Sequence, residues 1–192
     1  MYTIDKNTKG ETIIKNSKFI TLLFKIKSKN DVSDILDNIK KSYPKATHYC
    51  YAYVVDSNKK SSDDGEPGGT AGMPILNVLE KEKITNILAI VVRYFGGIKL
   101  GAGGLVRAYS KSVKDTLALV NINKLQNGKL IELTFDYDIQ DKINYILKDE
   151  EIVSKNFDAK ITYMVKIKDE ILNKLDNYSY KILDNILIEK RS

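Results

Sequence analysis

Apolar and polar positions repeat with two periods along this chain, and each change of period marks an element. Thr12–Ile14 and Phe19–Ile26 predict a β-hairpin with Asn16-Ser17 near its turn, because Ile20, Leu22, Phe24 and Ile26 alternate onto one face. From Asn30 to Tyr43 the period becomes that of a helix. Val32, Ile35, Leu36 and Ile39 form its apolar stripe, and Pro44 stops it. His48–Val55 predicts a strand. Pro74 suits a first helical position, where its missing N–H has no partner to lose, and that helix runs to about Glu82. The unbroken run ILAIVV within Asn86–Tyr94 predicts a strand buried on both faces. Gly104–Val120 predicts the longest helix, with Val106, Tyr109, Val113, Leu117 and Val120 inward.

The pattern breaks at Asn123–Lys129, where Asn127-Gly128 is a turn signal. This predicts two domains, residues 1–125 and 129–192. Beyond the break Ile131, Leu133, Phe135 and Tyr137 alternate as a strand. Asp138 can cap a helix carrying Ile139, Ile143, Ile146 and Leu147. Strands follow at Ile152–Phe157 and Ile161–Ile167, then an Asp169-capped helix with Ile171, Leu172 and Leu175, then a strand at Ile182–Ile188. The order β-α-β-β-α-β is that of a ferredoxin-like split βαβ domain. The fold class expected is α+β.

Composition narrows the function classes. No apolar run reaches transmembrane length and the N-terminus MYTIDKNTKGE is polar, so neither a membrane span nor a signal peptide is expected. The single cysteine, Cys50, rules out an internal disulfide and makes the reducing cytoplasm the expected compartment. Charge is unevenly spread. Residues 1–127 hold 20 Lys+Arg against 12 Asp+Glu, and residues 128–192 hold 11 against 13, so balances of +8 and −2 give the net +6. A basic first half points either to a polyanionic partner or to a solubilising surface.

Nine of the eleven glycines lie between Gly65 and Gly104. Gly101, Gly103 and Gly104 lead into the long helix, whose unpaired first amides and dipole suit an anion. Neither a Walker A loop nor a dinucleotide fingerprint fits, since no Gly-Lys-Ser/Thr follows and Val106 stands where a glycine is required. Arginine is scarce: three residues against 28 lysines, and two of the three, Arg93 and Arg107, flank the FGG…GG stretch. A guanidinium matches phosphate geometry better than an ammonium. The same arginines could instead pair with Asp63, Asp64 or Glu66 and pin the loop. Lys111 and Lys114 continue a stripe from Arg107 along one helix face. The anion-binding set expected is Arg93, Gly96, Gly97, Lys99, Gly101, Gly103, Gly104, Arg107, Lys111 and Lys114.

In His48–Tyr53 the side chains of His48, Cys50 and Ala52 point one way and Tyr49, Tyr51 and Tyr53 the other. His48 and Cys50 could form a nucleophile pair, or join the loop carboxylates around zinc, or His48 could simply bond those carboxylates. The tyrosines could stack bases or pack on a helix. No cofactor or metal is expected.

Three blocks carry a family resemblance: ATHYCYAY at Ala46–Tyr53, SDDGEPGGTAGMP at Ser62–Pro74, and VVRYFGGIKLGAGGLVRAY at Val91–Tyr109. Their order and spacing closely resemble the IMPACT family in its bacterial YigZ-like branch. That resemblance implies an N-terminal domain with the ribosomal protein S5 domain 2-like fold and a ferredoxin-like C-terminal domain similar to one in elongation factor G. Eukaryotic members regulate translation under stress by blocking a kinase activator. They carry an additional RWD domain with no counterpart in these residues, so that partner does not transfer. The function expected is regulation of translation by binding RNA or the ribosome, with a translation factor as a further protein partner. The alternative is an enzyme acting on a small phosphorylated substrate or nucleotide, with His48, Asp63, Asp64 and Glu66 as its acids, bases or metal ligands.

Overall fold

The structure, a computed structural model, describes residues 1–55 and 57–190. It divides into two compact units, Met1–Asn123 and a second beginning at Lys124. Both are mixed α/β, each with its own core.

In chain order the first unit contains β1 (Tyr2–Ile4), β2 (Thr8–Ile14), β3 (Ser17–Lys25), α1 (Asp31–Ser42), β4 (His48–Val55), β5 (Asn58–Ser62), α2 (Gly72–Lys81), β6 (Ile87–Tyr94) and α3 (Ala102–Leu117). Strands β2-β3-β6-β4-β5 form one antiparallel sheet. The apolar run of β6 serves two cores. Leu88, Ile90 and Val92 join Val32 and Ile39 of α1, while Ile87, Ala89 and Val91 join Ile75, Leu79, Tyr109 and Val113 of α2 and α3. The alternation along β4 divides the same way: Tyr49, Tyr51 and Tyr53 pack against the α1 core, and Cys50 and Ala52 face α2 and α3. The tyrosine face is therefore a packing surface.

Local chemistry explains where the elements begin. Ile14 pairs with Ser17, so the hairpin turn is Lys15-Asn16, one residue earlier than expected. Both residues have positive φ, 45° and 61°, as a primed two-residue turn requires. Helix α2 starts at Gly72, ahead of Pro74, because the Asp63 carboxylate reaches forward. It accepts N–H bonds from Gly69 (2.8 Å), Ala71 (3.0 Å) and Gly72 (2.8 Å). Pro74 is still within the first turn, where no amide partner is lost.

The second unit contains most of β7 (Ile122–Phe135), then α4 (Gln140–Ile146), β8 (Glu151–Phe157), β9 (Ile161–Lys168), α5 (Asp169–Leu172) and β10 (Ser179–Glu189). Its strands lie in the order β10-β7-β9-β8, every neighbouring pair antiparallel. Ile131, Leu133, Phe135, Ile161, Tyr163, Val165 and Ile167 face Ile143, Leu147 and Leu175 across its core. Three expectations change here. Asn127-Gly128 is no turn but lies inside β7, where a Cβ on Gly128 would press on the Ile167 carbonyl and the Ile188 side chain. Neither Asp138 nor Asp169 makes a side-chain capping bond. Among the described residues no helix is long and apolar enough to cross a membrane.

Candidate anion-binding site

The sheet register assembles the first half of the glycine-rich region. Phe19 of β3, Arg93 of β6 and His48 of β4 stand side by side in one row. Because Arg93 shares a strand face with Ile87, Ala89 and Val91, its side chain goes into the α2–α3 core. It is 5% exposed. Its Nη1 donates to Glu66 Oε1 at 2.5 Å, Nη2 lies 3.5 Å from Ser17 Oγ, and the guanidinium sits over the rings of Phe19 and Phe95. Glu66, itself 8% exposed, also accepts the Tyr109 hydroxyl at 2.7 Å, and its Oε2 is 3.8 Å from His48 Nε2. Arg93 is thus buried and paired with Glu66, the arrangement of the loop-pinning alternative.

The candidate acids and nucleophile are committed in the same network. Asp64 accepts the Tyr49 amide at 2.6 Å, and its carbonyl lies 2.8 Å from His48 Nδ1. Burial tends to raise the Asp63 pKa, but the amides of Gly69, Gly72 and Ala71 outweigh it and hold the carboxyl below its ordinary 3.8. The Cys50 thiol lies 2.9 Å from the Asp63 carbonyl and 3.3 Å from the Tyr109 hydroxyl. Burial pushes its pKa to about 12, opposed by the Tyr109 bond and reinforced by Glu66, Asp64 and Asp63. A thiol held neutral in this way is a poor nucleophile, and its contacts go to Asp63 and Tyr109 rather than to His48. Among the described residues no group of three or more His, Cys, Asp and Glu side chains is placed to hold a metal ion.

The second half is open. After β6 the chain crosses Phe95–Gly101 and enters α3. Gly96 donates its amide to Ser17 Oγ at 3.2 Å and lies so close to Asn16 that a Cβ would overlap the Asn16 backbone. Gly97 and Gly101 have φ of 83° and 73°. These three glycines are therefore explained by the path of the chain. Gly103 is exposed, and a Cβ on Gly104 would come within 3.0 Å of the Leu100 side chain. Gly101 precedes α3 and no side chain caps the helix. Arg107 is exposed and has no hydrogen-bond or ion-pair partner among the described residues. A cleft of about 230 Å³ is lined by Ile14, Lys15, Leu100, Gly104, Arg107, Ala108 and Lys111. Lys99 and Lys114 are exposed but do not line it.

The Impact N-terminal domain family matches residues 15–117. The chain belongs to the IMPACT family. The IMPACT family member YvyE of Bacillus subtilis is 39% identical over 157 residues, covering 80% of this chain and 72% of its own. YigZ of Escherichia coli is 33% identical over 178 residues, covering 89% of this chain and 86% of its own. A solved structure described as a hypothetical protein superposes with a TM-score of 0.65 at 29% identity, over 95% of both chains.

The IMPACT-matched segment spans the buried network and every residue lining the cleft except Ile14. Of the expected set, Gly104, Arg107 and Lys111 converge on the cleft, and Arg93 and Gly96 serve the interior. The sequence reading missed Lys15. Its signal was the primed turn, which lifts Lys15 onto the cleft rim, but the turn was placed one residue too late.

Proposed function

We propose that this IMPACT protein acts in the regulation of translation by binding RNA or the ribosome through the basic surface at the head of α3. The observation that carries the reading is that Lys15, Arg107 and Lys111 line one cleft beside an uncapped helix start, with Arg107 unpaired among the described residues. Such a cluster binds phosphate and releases counterions. Family membership supports the biological setting, since eukaryotic IMPACT proteins regulate translation. We also read the first unit as S5 domain 2-like and the second as ferredoxin-like, similar to one in elongation factor G. The antiparallel order β10-β7-β9-β8, fourth-first-third-second within the unit, supports the second assignment. A translation factor remains the protein partner proposed.

The enzyme alternative loses support from the engagement of its residues: Asp63 holds α2, Glu66 neutralises Arg93, and Asp64 fixes β4. The test is binding of the full chain to RNA and to purified ribosomes across a salt series. The affinity is expected to fall with a log–log slope of about 0.7 per phosphate contacted on a single strand. Lys15→Ala, Arg107→Ala and Lys111→Ala are each expected to reduce that slope. Salt-independent binding, or a slope unchanged in the triple variant, overturns the reading.

A further inference from the structure

The cleft is more than a charged patch, because its floor and rim differ in chemistry. Ile14 and Leu100, only partly buried beside the first unit's core, supply aliphatic surface, whereas Ala108 is fully buried. Lys15 comes from the hairpin turn, and Arg107 and Lys111 stand one helical turn apart on α3, a rise of about 6 Å. The volume, about 230 Å³, is that of a small concave recess and not of a groove that admits a helix.

We propose that this cleft takes a single unpaired nucleotide of RNA, its base against Ile14 and Leu100 and the phosphates on either side held by Lys15, Arg107 and Lys111. The inference rests on the RNA-binding reading and narrows it to single-stranded segments, loops or bulges.

The physical argument is one of matching. A duplex hides its base faces in the stack, so docking one here brings phosphates to the cations and leaves the apolar floor facing water or sugar. An unstacked base has an exposed face that gains by covering that floor. An acidic peptide satisfies the cations equally well, but a carboxylate side chain places no flat apolar surface over the recess. A competing charge is Asp115, whose carboxylate holds Lys111 Nζ at 2.8 Å. Both partners are solvent-exposed, so phosphate displaces that contact at small cost.

The experiment uses the full chain and three RNA probes of equal length: a single-stranded oligoribonucleotide, the same sequence as a blunt duplex, and the same strand with abasic riboses. A polyglutamate peptide serves as the acidic-protein probe. The single strand is expected to bind about tenfold more tightly than the abasic strand, with the same salt slope, because only the base contact differs. Leu100→Ala is expected to weaken the single strand and leave the abasic strand unchanged. Equal affinity for the abasic strand or the duplex overturns the inference while the RNA-binding reading stands. Polyglutamate matching the RNA at equal charge overturns it as well. No binding to any RNA at low salt removes both.

Discussion

Removing the Glu66 carboxylate strands the Arg93 guanidinium in a site sealed by Phe19, Phe95 and the sheet. Glu66→Ala is therefore expected to cost about 3–5 kcal/mol by urea unfolding. The double variant Glu66→Leu/Arg93→Met is expected to regain part of it, since no charge is left uncompensated; a double variant no better than the single one contradicts this account. Two pH limits follow from neighbouring residues. Asp63 titrates below 3.8 in the folded state, so its contribution is present above that value and is lost as pH falls through the depressed folded pKa. Asp63→Asn should flatten that part of the acid limb and lower stability by about 1 kcal/mol at neutral pH. Cys50 is raised from 9.0 to about 12, so the folded state keeps a proton that the unfolded chain releases. Stability is thus expected to fall as pH rises above 9.0, less steeply in Cys50→Ala, with circular dichroism melts as the measurement. The two arginines look alike in sequence because both flank glycines. Strand parity separates them: Arg93 continues the inward series Ile87, Ala89, Val91, whereas Arg107 lies on the outer face of α3.

At the scale of elements, Gly96 joins the end of β6 to the β2–β3 turn. Gly96→Ala forces a Cβ into the Asn16 backbone and is expected to cost about 1–3 kcal/mol. Gly97→Ala has open space around it and meets only the positive-φ penalty, about 1 kcal/mol. Thermal melts that rank the two in the opposite order contradict this packing. Most helices and strands were legible because their burial follows a single period, as in α1 and β6. Strand β5, with the sequence NKKSS, was not legible: it is an edge strand with no apolar face to signal it. The start of α2 was misplaced because its amides are held by Asp63, nine residues before Gly72 and outside any local capping pattern. Val106 was read as core, yet it is 38% exposed and Leu105 takes the inward position.

For the whole molecule, each unit has its own buried cluster, so residues 1–123 and 124–192 expressed separately are each expected to unfold cooperatively. A broad, non-cooperative melt for either fragment contradicts their independence. The sequence placed the division near residues 123–129 from a turn signal, whereas β7 runs unbroken through Gly128. The glycine there answers a close approach of neighbouring chain, which local sequence does not reveal. The buried Glu66–Arg93–Tyr109 cluster draws on the loop after β5, on β6 and on α3, and so ties together three distant stretches. Selection acting on that cluster is selection for an assembled scaffold. A homologue with the same three residues at Glu66, Arg93 and Tyr109 would share the architecture, and its kinship in chemistry is to be judged from what it carries at Lys15, Arg107 and Lys111.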